Sequence, residues 1–194
     1  MRIAYADPPY PGCAHLYKDH PDYAGEVDHA RLIYELCHDF DGYCLHTSSP
    51  SLYDVLERFA IEVGPDDRPR VMAWTKGFAA FKRNVPIAYA WEPVLVKAAR
   101  KPEVKEGMTY RDFINESITL QRGLTGAKPE KVCHWLFECM GCDSEDELVD
   151  LYPGTGAVAR AWESWKAQPS LLRPAPVSPW NEVAGMLAEV ESGV

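Results

Sequence analysis

The 194-residue chain is long enough for one well-cored domain, and its composition, 46% apolar and 25% charged, is ordinary for a soluble globular protein. No apolar run approaches the roughly 18 residues of a membrane helix, and the N-terminus shows no secretory signal, so we expect a cytoplasmic protein without a membrane partner. The net charge of −9 excludes a global basic surface for nucleic acid, so any such surface must be local.

Strand and helix patterns alternate along the chain, as expected for an open α/β sheet. Continuous apolar runs predict strands buried on both faces at 2–6, 42–48, 70–76, 87–98 and 147–152. Helical periodicity predicts helices at about 27–40, 51–63, 109–121, 128–140, 156–168 and 180–191. We therefore expect one domain over 1–167, followed over 168–194 by a proline-rich connector and a C-terminal helix.

The N-terminal strand runs directly into the tetrapeptide Asp7-Pro8-Pro9-Tyr10. A residue before proline is held in extended geometry and neither proline can donate a backbone hydrogen bond, so the strand must end here. A turn alone does not explain why a carboxylate and an aromatic ring flank the two prolines.

The strand at 147–152 ends in Asp150 and passes through Tyr152, Gly154 and Gly156 into a helix. Glycines at such a turn let the backbone approach a ligand closely, and a helix N-terminus offers free N–H groups. On its own, this pattern is equally typical of an ordinary strand-to-helix turn.

Together, the two motifs resemble those of S-adenosylmethionine (SAM)-dependent DNA methyltransferases of the D-P-P-Y family, which modify adenine N6 or cytosine N4. The Lys-Pro segment at 126–138 and the long strand at 90–98 also resemble the family. The motif order, catalytic first and cofactor last, resembles the permuted β class, and the small size is similar to a phage-type member. The resemblance covers about residues 1–167.

The resemblance implies a Rossmann-like methyltransferase sheet that is mostly parallel with an antiparallel late strand. It divides the domain into a catalytic half over 1–98, a short recognition insert over 99–127 and a cofactor half over 128–167. In the family, the chain continues after the cofactor helix into a strand ending in an acid that binds the cofactor ribose. Here the proline-rich segment follows instead, so we expect a sheet truncated on the cofactor side.

The resemblance also implies catalytic roles for the tetrapeptide. Asp7 and the Pro8 carbonyl would accept hydrogen bonds from the target amine, and Pro9 would stiffen the turn. Tyr10 would stack on the base, which must leave its duplex to reach the site. His15 and His20 follow in a polar segment, and we interpret them as solvated side chains rather than catalytic bases.

The cofactor implied by the resemblance is SAM. Its methionine part would be bound by the second motif, that is by Asp150, Tyr152, Gly154 and Gly156. Lys128 and Asp7 would complete the cofactor site. Lys128 would contact the cofactor carboxylate. We expect no metal site, because Cys133, Cys139 and Cys142 lack a partner motif at zinc spacing and are interpreted as reduced thiols.

The function expected from these motifs is methylation of adenine N6 in DNA, since Asp rather than Ser in the tetrapeptide favours adenine. DNA would be contacted through a local basic surface, for which the cluster at 75–84 is the best candidate, although a solvated face explains it as well. The alternatives are a catalytically reduced subunit that acts as a binding or assembly partner, and an enzyme acting on cytosine N4, RNA or a nucleotide. For the small phage-type enzyme we consider a homodimer, in which the partner copy would supply surface that this chain lacks.

Overall fold

A computed structural model describes residues 1–18, 25–77, 86–104, 109–118 and 127–168. The predicted helix at 180–191, the connector, His20 and most of the cluster at 75–84 lie outside these residues, as do parts of the recognition insert. The strands in the described part are β1 (Arg2–Ala6), β2 (Gly42–His46), β3 (Arg70–Thr75), β4 (Trp91–Lys97), β5 (Phe113–Asn115) and β6 (Glu147–Asp150). None of the described helices is long and apolar enough to cross a membrane.

These strands form one sheet in the order β5-β3-β4-β2-β1-β6. β1 runs parallel to both β2 and β6, and β3 runs parallel to β5. β4 runs antiparallel to both of its neighbours, β2 and β3. The predicted fold, a mostly parallel α/β sheet with an antiparallel late strand, is confirmed.

Helices cover both faces of the sheet. The α-helices are α1 (His29–His38), α2 (Leu52–Glu62), α3 (Glu130–Met140) and α4 (Ala157–Ala167). α1 and α2 pack on one face, and α3 and α4 pack on the other. Four of the six predicted helices are therefore found in the described residues, within about three residues of their predicted bounds.

The central strand β1 shows why the chain forms a sheet buried on both sides. Ile3 and Tyr5 point into the core beneath α3 and α4, whereas Ala4 and Ala6 point into the core beneath α1. All four side chains are fully buried, which explains the continuous apolar run in the sequence. The small alanines leave room for α1 to approach the sheet.

Two helix ends are defined by local chemistry. The Asp28 carboxylate caps α1 by accepting a hydrogen bond of 3.0 Å from the backbone N–H of Arg31. α3 ends at Gly141, which has a φ of +69°. A Cβ atom there would lie 2.5 Å from the carbonyl oxygen of Arg100, so only glycine fits both the backbone angle and the close approach.

The helix predicted at 109–121 is wrong for the part that the structure describes. Residues 113–115 form strand β5, which pairs with the outer edge of β3. Ile114 packs into the core beneath α3, while Phe113 on the opposite face is 39% exposed. The apolar spacing fitted a helix, but an open sheet edge offers the segment backbone hydrogen bonds that outweigh its local preference.

Candidate active site

The carboxyl ends of the parallel strands meet at one edge of the sheet, where open α/β sheets bind their ligands. Because β4 runs in the opposite direction, its first residues lie at the same edge. Five titratable side chains therefore lie at this edge. Asp7 follows β1, His46 is the last residue of β2, and Lys76 follows β3. Glu92 is the second residue of β4, and Asp150 is the last residue of β6.

The tetrapeptide forms a turn at this edge. Pro8 is buried, while Asp7, Pro9 and Tyr10 are partly buried. The Tyr10 carbonyl accepts a hydrogen bond of 2.8 Å from the Cys13 N–H, which closes the turn. Burial raises the pKa of Tyr10 well above 10, so its phenol stays protonated and donates a hydrogen bond to Glu92. These two contacts hold the Tyr10 end of the tetrapeptide.

Lys128 lies in the segment directly before α3, and its side chain is only 8% exposed. Its Nζ atom lies 2.9 Å from Asp7 Oδ1 and 2.9 Å from Glu92 Oε1. Burial lowers the pKa of Lys128, but Asp7 and Glu92 outweigh it and raise this pKa well above its ordinary value. At neutral pH, Lys128 is therefore a buried cation that links the first motif to β4. Its predicted contact with a cofactor carboxylate stays a prediction.

Glu92 was missed from the sequence, although an acid inside the apolar run of β4 was a signal. Its Oε1 atom accepts hydrogen bonds from His46 Nδ1 at 2.7 Å and from Lys128 Nζ at 2.9 Å. Its Oε2 atom accepts one from Lys76 Nζ at 3.0 Å. Burial raises the pKa of Glu92, but Lys128, His46 and Lys76 together lower it well below its ordinary value. Glu92 is therefore an anion held by these three groups and by the Tyr10 phenol.

His46 extends this network into the core. Its Nε2 atom lies 2.9 Å from the Tyr5 hydroxyl, which in turn lies 3.9 Å from Cys133 Sγ. Burial raises the pKa of Tyr5 well above 10, so the phenol keeps its proton. One assignment satisfies both contacts of the ring: Tyr5 donates to Nε2, and Nδ1–H donates to Glu92. His15, which the sequence predicts to be solvated, is exposed, whereas His46, a histidine that the sequence does not single out, is 1% exposed.

The second motif begins directly beside Asp7. Asp150 pairs in register with Tyr5, two residues before Asp7 on the neighbouring strand. Asp150 Oδ1 accepts a hydrogen bond of 3.2 Å from the Tyr152 N–H. Asp150 Oδ2 is buried and has no partner among the described residues. Burial accordingly raises the pKa of Asp150, and the nearby charge of Asp7 adds to this effect.

The glycines of this motif shape an open turn before α4. Gly154 and Gly156 have φ values of +44° and +69°, which favour glycine. A Cβ atom at Gly154 would meet only the Tyr152 carbonyl, at 3.7 Å, so the space above the turn is open. The predicted site residues therefore form two neighbouring groups. One group lies at the end of β1 and consists of Asp7, Pro8, Pro9, Tyr10 and Lys128. The other follows the adjacent strand β6 and consists of Asp150, Tyr152, Gly154 and Gly156.

Metal-ligating side chains also converge at this edge. Ligand atoms of Asp7, His46 and Glu92 lie within 4.8 Å of one another, the one such group of three found in the described part of the chain. The ammonium of Lys128 already lies against both carboxylates, so it supplies the positive charge that a metal would bring. Burial raises the pKa of both Cys133 and Cys139 to about 12, so these thiols stay protonated at neutral pH.

The comparisons with known proteins concern the fold. The chain is similar to the crystal structure of an M1.HpyAVI–SAM complex, with a TM-score of 0.60 and 13% identity over 86% of this chain and 78% of that one. It is also similar to a crystal structure of M1.HpyAVI, with a TM-score of 0.51 and 12% identity over 86% of this chain and 76% of that one. A scan against protein-family models and a search of curated proteins found no match. The chain therefore shares the fold of M1.HpyAVI.

Proposed function

We propose that this chain is a SAM-dependent methyltransferase that acts on the exocyclic amine of a nucleobase, namely N6 of adenine in DNA. The observation that carries the proposal is the placement of Asp7 and Asp150 at the ends of two adjacent parallel strands. Asp7, as the hydrogen-bond acceptor for the target amine, then lies beside Asp150, as the acceptor for the cationic cofactor. The fold shared with a SAM-bound protein supports the same assignment.

Asp7 is suited to hold the target amine. Its Oδ1 atom is paired with Lys128, and within the described residues no ion pair or hydrogen bond holds its other oxygen. That oxygen can accept a hydrogen bond from the amine, with the Pro8 carbonyl as a second acceptor. Because the lone pair of an aromatic amine is delocalised into the ring, two such hydrogen bonds favour the geometry in which the nitrogen is nucleophilic. The nitrogen would gain the methyl group as the methyl–sulfur bond breaks and the sulfur keeps its electron pair, and the proton of the methylated amine would then pass to water.

Asp150 is suited to hold SAM. The buried, unpartnered Oδ2 atom needs a donor, and the α-ammonium group of the methionine part of SAM would supply it together with a compensating charge. Among the described residues, the space above Gly154 is open and leaves room for that part to approach the backbone. When bound, SAM supplies an electrophilic methyl group. Tyr152 and Lys128 complete the proposed cofactor site.

A second candidate function is a catalytically reduced subunit that binds other macromolecules. It is favoured by β6, which is the sheet edge in the part of the chain that the structure describes, so no described strand provides an acid for the cofactor ribose. The intact pairing of Asp7 with Lys128 speaks against it, because a binding subunit has no chemical need for a buried charge at that turn.

The proposed partner is DNA, bound through a local basic surface near Lys76, since a chain with a net charge of −9 has no global one. Only residues 75–77 of the basic cluster are described, so its contribution is inferred from the sequence. We further propose a cytoplasmic protein, and a homodimer is the assembly that the sequence suggests.

The test is methyl transfer from tritiated SAM to duplex DNA, single-stranded DNA and RNA, followed by nucleoside analysis. We expect N6-methyladenine from duplex DNA, and we expect Asp7→Asn to reduce the rate by at least about 100-fold, as for loss of an oriented catalytic group. Asp66→Asn, at an exposed acid in the turn before β3, is the matched control and should leave the rate unchanged.

Each other product has a defined meaning. N4-methylcytosine would assign cytosine as the target, and transfer to RNA alone would exclude DNA as the substrate. A folded protein that binds SAM and transfers no methyl group to any of the three substrates would favour the binding subunit.

A further inference from the structure

We propose that Glu92 is a positioning residue for Asp7 and acts through the ammonium of Lys128. The inference rests on the proposed function, because it assigns to Asp7 the role of amine acceptor. Glu92 itself does not touch the substrate in this proposal. It keeps Asp7 available for the amine.

The geometry of Glu92 leaves its carboxylate no freedom. His46 Nδ1 and Lys128 Nζ both lie on Oε1, at 2.7 and 2.9 Å, and Lys76 Nζ lies 3.0 Å from Oε2. The side chain is 6% exposed, so water does not compete for these contacts. His46 is in turn fixed by Tyr5 in the core. A carboxylate held in this way fixes the position of any ammonium bound to it.

Lys128 transmits that position to Asp7. Its ammonium lies 2.9 Å from an oxygen of each carboxylate, and 5.3 Å from the centre of the Trp74 ring. Trp74 is 2% exposed and donates a hydrogen bond of 2.7 Å to the Glu116 carbonyl, so the ring is itself immobile. The lysine stem is flexible in water, but here its charged end has one place to lie.

The charge balance explains why two carboxylates are needed. Asp7 and Glu92 face Lys128 and Lys76, two anions against two cations. Without the charge of Glu92, Asp7 would be the one described carboxylate left in this network to balance both cations. A carboxylate drawn towards two ammonium groups is a poorer acceptor for a neutral amine. Glu92 therefore competes for Lys128 and leaves Asp7 able to bind the substrate.

A purely structural role does not account for this cluster. Residue 92 pairs with Trp74 in a strand whose next four residues are buried and apolar, so an apolar side chain would continue the pattern. Burying charged groups is costly, and apolar replacements of buried ion pairs are often as stable or more stable. The network is thus explained better by what it does at Asp7 than by stability.

The first arm of the test needs no catalysis. The Nζ groups of lysine are followed by NMR during a pH titration, with Lys128 assigned from a Lys128→Arg variant. The titratable groups that face Lys128 in the described residues are Asp7, Glu92 and Tyr10, and the Cys133 thiol of α3 also interacts with it electrostatically. We expect Lys128 to stay protonated beyond the ordinary lysine range in the native protein and to lose its proton at lower pH in Glu92→Gln. Unchanged titration of Lys128 in Glu92→Gln would overturn the inference.

The second arm measures methyl transfer with saturating substrate. We expect Glu92→Gln to lower kcat by about 10-fold to 100-fold, as for other outer-shell partners, with the dissociation constant for SAM within threefold of the native value. The loss should grow with pH, because Lys128 is then neutralised, and Glu92→Asp should restore part of the rate. Glu116→Gln is the matched control, since the ion pair of the Glu116 side chain in the described residues is with the exposed Lys131 at 3.5 Å. The Glu116 carbonyl that binds Trp74 belongs to the backbone and is kept in this variant.

The two arms separate the inference from the proposed function. An unchanged kcat in Glu92→Gln, or a loss that appears only in SAM affinity, would overturn the positioning role. If the native protein transfers no methyl group to any substrate, the proposed function fails, and the lysine titration alone decides whether Glu92 controls Lys128.

Discussion

Replacing Lys128 with methionine removes one charge from the centre of the site and little volume. The ammonium lies 2.9 Å from an oxygen of Asp7 and 2.9 Å from an oxygen of Glu92, and the side chain is 8% exposed. Methionine fills the same space but leaves two carboxylates facing each other across it. Among the described residues, the contacts that remain on Glu92 are those of Lys76, at its other oxygen, His46 and Tyr10, and Lys76 is the lysine that still compensates its charge.

The expected loss of stability follows from this burial. Removing one partner of a buried ion pair costs roughly 3–5 kcal/mol. Asp7 is 23% exposed and regains some hydration, so we expect about 3 kcal/mol, at the lower end of that range. For a domain of this size, that corresponds to a decrease in Tm of about 6–12 °C.

Urea denaturation of Lys128→Met measures this loss, with Lys131→Met as the matched control. Lys131 lies in the first turn of α3 and forms an ion pair of 3.5 Å with Glu116, but its side chain is 78% exposed. Exposed pairs contribute about 0.5 kcal/mol or less. The two variants therefore remove the same charge from neighbouring positions that differ chiefly in burial.

The pH dependence gives a further check. The lowered pKa of Glu92 means that its pairing stabilises the fold above the ordinary carboxyl range and is lost as pH falls. The raised pKa of Lys128 means that its pairing stabilises the fold below the ordinary lysine range and is lost as pH rises. The loss in Lys128→Met should thus be largest between about pH 5 and pH 10. A loss below about 1 kcal/mol at pH 7, or one equal to that of Lys131→Met, would refute the reasoning.

Three further predictions concern other parts of the fold. Gly156→Ala places a Cβ atom at a φ of +69°, 3.2 Å from Arg160 Nη1. It should lower the free energy of unfolding, measured by thermal denaturation, by about 1–2 kcal/mol, and it should also weaken SAM binding. Cys133 should resist Ellman's reagent at pH 8 until the protein is denatured, because its pKa is about 12; rapid native labelling would contradict the burial. Asp146→Asn weakens the pair with Arg100 at 2.6 Å and should cost about 2 kcal/mol at pH 7. Burial raises the pKa of Asp146, but hydrogen bonds from Arg100, the N-terminal ammonium and the Asp143 N–H outweigh it and keep this pKa below its ordinary value. The difference should therefore shrink as pH falls below about 4, and a constant difference would contradict the assignment.

The sequence was informative wherever local patterning and tertiary structure agree. The apolar run of β1 and the two prolines after it predicted both the strand and its end, because burial on both faces and the missing N–H groups act on neighbouring residues. The helix predicted over 109–121 failed at β5, because its pairing partner, the edge of β3, lies some 40 residues earlier in the chain.

The network around Glu92 could not be predicted for the same physical reason. Its partners Lys76, Lys128 and His46 lie 16, 36 and 46 residues away in the sequence. They meet only because β4 inserts antiparallel between β2 and β3, which brings the start of one strand to the ends of the others. No motif joins these positions, although an acid within the apolar run of β4 was the visible signal that something there requires a charge.

The most direct test of the account is calorimetric titration of the purified protein with SAM and with its demethylated product, repeated on Asp150→Ala. We expect the native protein to bind SAM with micromolar affinity and the variant to lose this binding, because Asp150 Oδ2 is the buried acceptor left without a partner in the described residues. No binding up to millimolar cofactor by the folded native protein, also with DNA present, would contradict the assignment of this sheet edge as a methyltransferase site.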